Sequence, residues 1–116
     1  MNTNQKRSER AYVREDLAKL WQTNVRAILE ILGVRQTDFA RELGVSRQSV
    51  TTMLTREDRR LTKIQYMATM YILKRMLSEL VDAMDRDIYT EDSERRIFWA
   101  TGYYSQIIRD EKEKGL

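Results

Sequence analysis

The chain has 116 residues, of which 41% are hydrophobic and 34% are charged, enough for one domain with a buried core. Cysteine and histidine are absent, which excludes a disulfide framework, a zinc site built from those residues, a thiol nucleophile and a histidine general base. The net charge of +3 divides into +5 over residues 1–63 and −2 over residues 64–116, so we expect a polyanionic partner for the first part.

Long helices are favoured throughout, because the chain has no proline and only four glycines. Residues 1–14 are polar and basic, and they predict a disordered tail or the frayed start of a helix. From Glu15 apolar residues recur at spacings of three and four, which predicts a helix to Leu32. Gly33 follows at the position where a helix end requires a left-handed residue.

Two short helices are predicted next. The first begins at Gln36 or Thr37 and is ended by Gly44 after about two turns. The second extends from about Ser46 to Leu54, and Ser46 is a good N-cap for it. Two short helices joined through a glycine-containing turn are typical of a helix-turn-helix unit.

The remaining chain predicts two long helices. The charged segment 55–61 indicates a solvated loop, after which Thr62 caps a helix that extends to Met84. Residues 85–94 are the predicted connector, and a last helix follows over about residues 93–112. The apolar residues available for burial in the helix after Thr62 are Ile64, Met67, Ala68, Tyr71, Ile72, Met76, Leu77 and Leu80. We therefore predict an all-α fold.

A 20-residue window that begins at Gln36 carries a specific pattern. Its first, fifth, ninth and fifteenth positions are Gln36, Ala40, Gly44 and Val50, and its apolar fourth, eighth, tenth and eighteenth positions are Phe39, Leu43, Val45 and Met53. With these residues the chain resembles the DNA-binding domain of the lambda-repressor and Cro superfamily, the XRE family, over residues 23–77. The resemblance implies a lambda-repressor-like fold of about five helices, with an extended first helix and an extra C-terminal helix. Residues 15–84 are the predicted helix-turn-helix DNA-binding domain.

The resemblance also implies that the helix from Ser46 to Leu54 is a recognition helix in the major groove of duplex DNA. The residues expected to face the bases are Arg47, Gln48, Thr51 and Thr52. Those expected to contact phosphates are Gln36, Ser46, Ser49, Arg56, Arg59, Arg60 and Lys63. Arginine at the twelfth position of the window, where a familiar repressor has glutamine, shifts the expected preference toward guanine. Although some repressors grip DNA with a flexible arm, we expect residues 1–14 to be a plain tail.

Residues 85–116 lie outside the resemblance and form a C-terminal helical extension, predicted to act in dimerisation. Its apolar side chains exceed one stripe, so the helix needs extra partners, either the core beside Leu17 and Trp21 or a second subunit. We expect a combination of the two. The predicted interface residues are Ile97, Phe98, Trp99, Tyr103, Tyr104, Ile107 and Ile108.

The leading hypothesis is a sequence-specific transcription regulator, a repressor rather than an activator, that binds a palindromic operator as a homodimer. The alternative is an adaptor that binds protein through residues 85–116. We expect no enzyme activity, no cofactor and no metal. No apolar run is long enough to span a membrane and the N-terminus lacks a secretory signal, so we expect the cytoplasm, at the nucleoid of a bacterium or in a phage context.

Overall fold

A computed structural model describes residues 10–55, 57, 59–84 and 91–116. This part of the chain contains no strand and five helices of at least eight residues. They are α1 (Glu15–Leu32), α2 (Gln36–Leu43), α3 (Arg47–Thr55), α4 (Lys63–Met84) and α5 (Glu91–Lys114). The predicted all-α class is confirmed, and every predicted helix begins and ends within two residues of an observed one. None of the described helices is long and apolar enough to cross a membrane.

Two glycines end α1 and α2 in the left-handed conformation, with φ of 67° at Gly33 and 72° at Gly44. After each glycine the next amide bonds back into the last turn of the helix. The Val34 N–H donates to the Leu29 carbonyl at 2.9 Å, and the Val45 N–H donates in the corresponding way at 3.0 Å. These Schellman motifs satisfy carbonyls that a helix end leaves without partners. The predicted stop at each glycine is confirmed.

The starts of α3 and α4 are capped by hydroxyl side chains. The Ser46 hydroxyl accepts a hydrogen bond from the Ser49 amide at 3.1 Å. At α4 the Thr62 hydroxyl accepts from the Gln65 amide at 3.0 Å, and the Gln65 side-chain oxygen accepts from the Thr62 amide at 2.9 Å. This reciprocal pair is a capping box, which satisfies two amides that have no partner within the helix. Both predicted caps are confirmed.

The core lies between the long helices. The α5 helix lies antiparallel to α1, and a guanidinium nitrogen of Arg14 donates to the Lys114 carbonyl at 2.7 Å where the two ends meet. Trp21 on α1 and Tyr66 on α4 are both buried, with ring centroids 6.0 Å apart. Residues of α5 complete the same cluster through Ala100 and Ile107. The predicted contact of the last helix with the core beside α1 is therefore confirmed.

The segment before α1 is part of the domain, which corrects the predicted tail boundary at residue 14. Val13 is 1% exposed, and its amide donates to the Leu61 carbonyl at 2.8 Å. Tyr12 forms an isolated antiparallel bridge with Thr62. Residues 12 and 13 therefore extend the fold toward the N-terminus, because the loop before α4 offers them an apolar site and a backbone partner. Residues 1–9 lie outside the described residues.

Burial along α4 differs from the prediction. Ile72 and Leu77 are buried as expected and Met76 is half-buried, whereas Ile64, Met67, Ala68, Tyr71 and Leu80 are exposed. The core side instead carries Tyr66, Met70 and Leu73. Because α4 has apolar residues on more than one side, their spacing alone does not decide which side is buried. Packing against α5 decides it. Val45, in the turn before α3, is also 45% exposed.

Tyr66 gives a first prediction. Its hydroxyl is buried and faces Glu111, but the geometry falls outside that of a formed hydrogen bond. Burial, together with the Glu111 carboxylate, raises the pKa of Tyr66 above its ordinary value, which favours the neutral phenol in the folded state. The buried neutral phenol of Tyr66 therefore contributes fully to the free energy of unfolding below about pH 10, the ordinary tyrosine pKa. This contribution is lost as the pH rises further.

We expect Tyr66→Phe to leave the free energy of unfolding at pH 8 within about 1 kcal/mol of wild type, since no formed hydrogen bond is lost. At pH 11 the variant should retain a larger share of its pH 8 stability than wild type does. Urea unfolding at the two pH values measures both quantities. Equal alkaline losses in the two proteins would contradict the assignment to Tyr66.

Candidate nucleic-acid interface

The α2–α3 pair presents one side of α3 to solvent. Val50 and Leu54 are 0% and 1% exposed and fix the inner side of α3, while Ala40 on α2 is 3% exposed. A side chain as small as alanine allows the two helices to approach closely. Gln22 on α1 also holds α3, because its side-chain nitrogen donates to the Met53 carbonyl at 3.0 Å. The outer side of α3 is thus held in a fixed orientation.

All four residues predicted to face bases keep solvent exposure on α3. Arg47 and Gln48 are exposed, and Thr51 and Thr52 are half-buried. At about 100° per residue these four positions span about 140° of the helix circumference. Arg47 shares a stripe with the buried Leu54, and it is exposed because it stands at the start of α3. The structure brings the predicted base-contacting set together on the outer face of α3.

A hydrogen bond joins this face to the start of α2. The Thr51 hydroxyl donates to the Gln36 side-chain oxygen at 2.6 Å, and the Arg47 carbonyl lies 3.1 Å from the same hydroxyl. The carboxamide oxygen of Gln36 is thereby occupied, which leaves its NH₂ group as the end that donates. Gln36 is the first residue of α2, where backbone N–H groups and the helix dipole favour an anion.

Asp38 stands in the same first turn of α2, and its negative charge is offset locally. An Arg35 nitrogen donates to one carboxylate oxygen at 3.1 Å, and Arg41 lies 3.6 Å from the other. The hydrogen bond from Arg35 lowers the pKa of Asp38, so the carboxylate stays ionised and paired. The acidic residue nearest Gln36 is therefore neutralised by its own neighbours.

A polar cleft of about 570 Å³ runs between α3 and the loop before α4. It brings together three predicted groups, namely base-facing residues, hydroxyls at the start of α3 and arginines of the loop. Its lining residues are Tyr12, Ser46, Gln48, Ser49, Thr52, Met53, Arg59, Arg60, Leu61, Thr62 and Gln65. Residues as far apart in sequence as Tyr12 and Gln65 thus face one open space beside the recognition helix predicted from the sequence.

The predicted phosphate-contacting residues occupy different parts of this surface. The Ser46 and Ser49 hydroxyls are 2.9 Å apart, so one hydroxyl proton joins them and the other remains to donate outward. Arg59 and Arg60 are exposed on the cleft wall, and Lys63 is half-buried at the start of α4. Arg56 lies outside the described residues.

Tyr12 is a component that the sequence did not predict. The guanidinium carbon of Arg60 lies 4.6 Å from the centroid of the Tyr12 ring, a cation–π distance. The backbone bridge between Tyr12 and Thr62 holds the ring at this place. Only the pairing of the N-terminal segment with the loop brings the two side chains together, so local sequence carries no signal for it. Gln65, by contrast, was detectable through its spacing from Thr62 in a capping box.

Within the described ranges, no group of three or more carboxylates is arranged to hold a metal ion. Comparisons of the chain with protein-family models, curated proteins and solved structures found no match.

Proposed function

We propose that this protein is a sequence-specific transcription regulator that binds duplex DNA through a helix-turn-helix of the lambda-repressor and Cro type. The observation that carries the proposal is the outer face of α3, where Arg47 and Gln48 are exposed and Thr51 is bonded to Gln36 at the start of α2. A face that joins base-reading side chains to an anion-binding helix start suits the edge of a major groove, where bases and phosphates lie side by side.

Base readout in this proposal falls mainly to two side chains. The Arg47 guanidinium forms two hydrogen bonds with O6 and N7 of guanine, and the Gln48 amide pairs with N6 and N7 of adenine. Thr52 offers a methyl group to thymine. Thr51 serves chiefly to orient Gln36, because its hydroxyl proton is already directed at the Gln36 oxygen.

Phosphate contacts surround this face. The NH₂ group of Gln36 and the first amides of α2 contact one phosphate, while a Ser46 or Ser49 hydroxyl and the loop arginines contact the backbone along the cleft. Arg56 belongs to the same proposal as a phosphate contact. Such contacts fix the register of the protein on the duplex without reading its sequence.

The proposal includes a homodimer on a palindromic operator, because one domain offers few base contacts and a two-fold pair doubles them. The α5 residues predicted for the interface divide by exposure. Phe98, Trp99 and Tyr103 are exposed, and Ile97, Tyr104 and Ile108 are half-buried. Ile107 is 1% exposed, which corrects its assignment, since a side chain enclosed in its own core does not reach a second subunit.

Repression is the proposed mode of action, because occupancy of a promoter suffices for it. The test is selection of bound duplexes from a random library at near-physiological salt. We expect enrichment of an inverted repeat with half-sites about 10 bp apart, or a small multiple of one turn. Arg95→Ala, on α5, serves as a control that removes one positive charge from a surface outside α3. Failure to enrich any sequence would contradict the proposal.

A second candidate function is a protein-binding adaptor, and the exposed apolar residues of α4 and α5 favour it. Salt separates the two functions. A DNA complex with several phosphate contacts weakens steeply as salt rises, whereas binding through apolar surface does not. Binding to duplex DNA that is equally weak for all sequences, beside salt-resistant protein binding, would favour the adaptor.

Tyr12 supplies a prediction on affinity. We expect Tyr12→Leu to weaken binding to every duplex by about two- to fivefold, as for the loss of an exposed cation–π contact of about 0.5–1 kcal/mol. Tyr12→Phe keeps a ring beneath Arg60 and should bind nearly as wild type does. Titrations on specific and scrambled duplexes measure both variants. A loss confined to the specific duplex would contradict a role through the phosphate-contacting Arg60.

A further inference from the structure

Exposed apolar surface is concentrated on two helices. Of ten large hydrophobic side chains exposed in the described part of the chain, eight lie on α4 and α5. On α4, Ile64, Met67 and Tyr71 are 80%, 61% and 66% exposed, and we call them the α4 face. On α5, Phe98 and Trp99 are 70% and 58% exposed, and we call them the α5 face. Neither face takes part in the proposed DNA contact.

The α4 face lies opposite the buried side of its own helix. Its members are three and four residues apart and so share one stripe, while Tyr66 and Leu73 point into the core. A helix that is apolar on two sides needs a second partner. The α5 face has a similar character, with the rings of Phe98 and Trp99 packed edge to face at 5.8 Å.

Shallow grooves connect the two faces into one surface. The first groove, of about 270 Å³, borders the α4 face and shares Lys74 and Tyr104 with a second of about 310 Å³. The second shares Thr101 with a third of about 440 Å³, which borders the α5 face. A single partner is therefore able to cover both faces at once.

The size of this surface fits a macromolecular partner. The three exposed aromatic side chains of these faces, Tyr71, Phe98 and Trp99, together expose about 390 Å², taking about 200 Å² for each whole side chain. Ile64 and Met67 add to it. A stable protein interface buries about 800 Å² on each partner, and these side chains supply more than half of that.

The charges favour a second copy that brings unlike faces together. Glu111 lines the first groove, Asp82 lines the second, and Lys74 lines both, so the two grooves together carry one net negative charge. Arg109 lines the third groove, beside the α5 face. Pairing α5 with α5 would set Arg109 against Arg109 of the partner, whereas pairing α5 with α4 sets Arg109 near acidic groups.

We propose that the α5 face of each protomer packs on the α4 face of a second copy, reciprocally about a two-fold axis. Each dimer then contains the contact twice, and both faces of both protomers are covered. The inference rests on the proposed function in one respect, because it gives the geometry of the homodimer proposed there. Self-association is measurable without DNA, so the two proposals fail separately.

The test uses Met67→Lys, Phe98→Glu and the chain that carries both changes, followed by sedimentation equilibrium of the full chain. Each single change buries a charge at both contacts of the dimer, and we expect the dissociation constant to rise at least about tenfold. In the double variant each new lysine faces a new glutamate of the partner, so the constant should return toward wild type. Leu20→Glu, on α1 at a site 39% exposed, is the control.

The possible results distinguish pairing of α5 with α4 from pairing of α5 with α5. Weaker dimerisation of Phe98→Glu with unchanged dimerisation of Met67→Lys would show α5 paired with α5 and overturn the proposal. A wild-type chain that stays monomeric would overturn it as well. Growth beyond a dimer would overturn the two-fold closure. Unchanged helical circular dichroism shows that these surface variants are folded. Dimers that bind no duplex would contradict the proposed function and leave this inference standing.

Discussion

Replacement of Arg47 by alanine is expected to lower affinity for the preferred operator by about 5- to 150-fold, the effect of losing a bidentate contact worth about 1–3 kcal/mol. Arg47 is an exposed residue in the first turn of α3, so its removal leaves the core intact. Selection from a random library should then show a relaxed preference at one position of each half-site, with the remaining positions unchanged.

Arg47→Lys distinguishes base readout from charge. Lysine keeps the positive charge but lacks the planar pair of donors, so specific affinity should fall while binding to scrambled duplexes stays near wild type. Arg95→Ala removes the same charge from α5 and should leave the selected sequence unaltered. If Arg47→Ala also left the selected sequence unaltered, α3 would not be the helix in the major groove.

The short helices were predictable because their ends are determined locally. A glycine that takes a positive φ, or a hydroxyl that accepts an amide three residues ahead, acts within one turn and is visible as spacing. Gly33, Gly44, Ser46 and Thr62 all act in this way. These four helix boundaries therefore follow from the sequence alone.

Features that depend on long-range packing were not predictable in the same way. Val13 is buried because a carbonyl 48 positions later accepts its amide, and nothing in residues 1–14 indicates that partner. On α4, two apolar sides compete, and the choice between Tyr66 and Tyr71 for the core depends on where α5 lies. Spacing identifies a helix with surplus apolar residues but does not say which side is covered.

The candidate site likewise combines features that follow from local sequence with features that depend on packing between helices. The exposed positions of α3 follow from helical periodicity once Val50 and Leu54 are recognised as its buried side. The bond between Thr51 and Gln36 joins residues on different helices and requires the crossing of α2 and α3. It changes the role expected of Thr51 from base contact toward orientation of Gln36.

The last helix supplies the second prediction of large effect. Ile107→Ala is expected to lower the free energy of unfolding by about 2–5 kcal/mol, because the side chain is 1% exposed and its loss leaves a cavity in the core it shares with α1. Urea unfolding measured over a range of protein concentrations gives the value. The loss should be independent of concentration, since the contact lies within one protomer.

Phe98→Ala is the matched comparison on the same helix. Phe98 is 70% exposed, so in the monomer its truncation should change stability by less than about 0.5 kcal/mol. Any further loss of stability should grow with protein concentration, because it comes from the contact with a second copy. The two substitutions thus distinguish the side of α5 that completes the core from the opposite side that contacts a partner. A small effect of Ile107→Ala would instead make residues 91–114 separable from the core, contrary to the packing of α5 on α1.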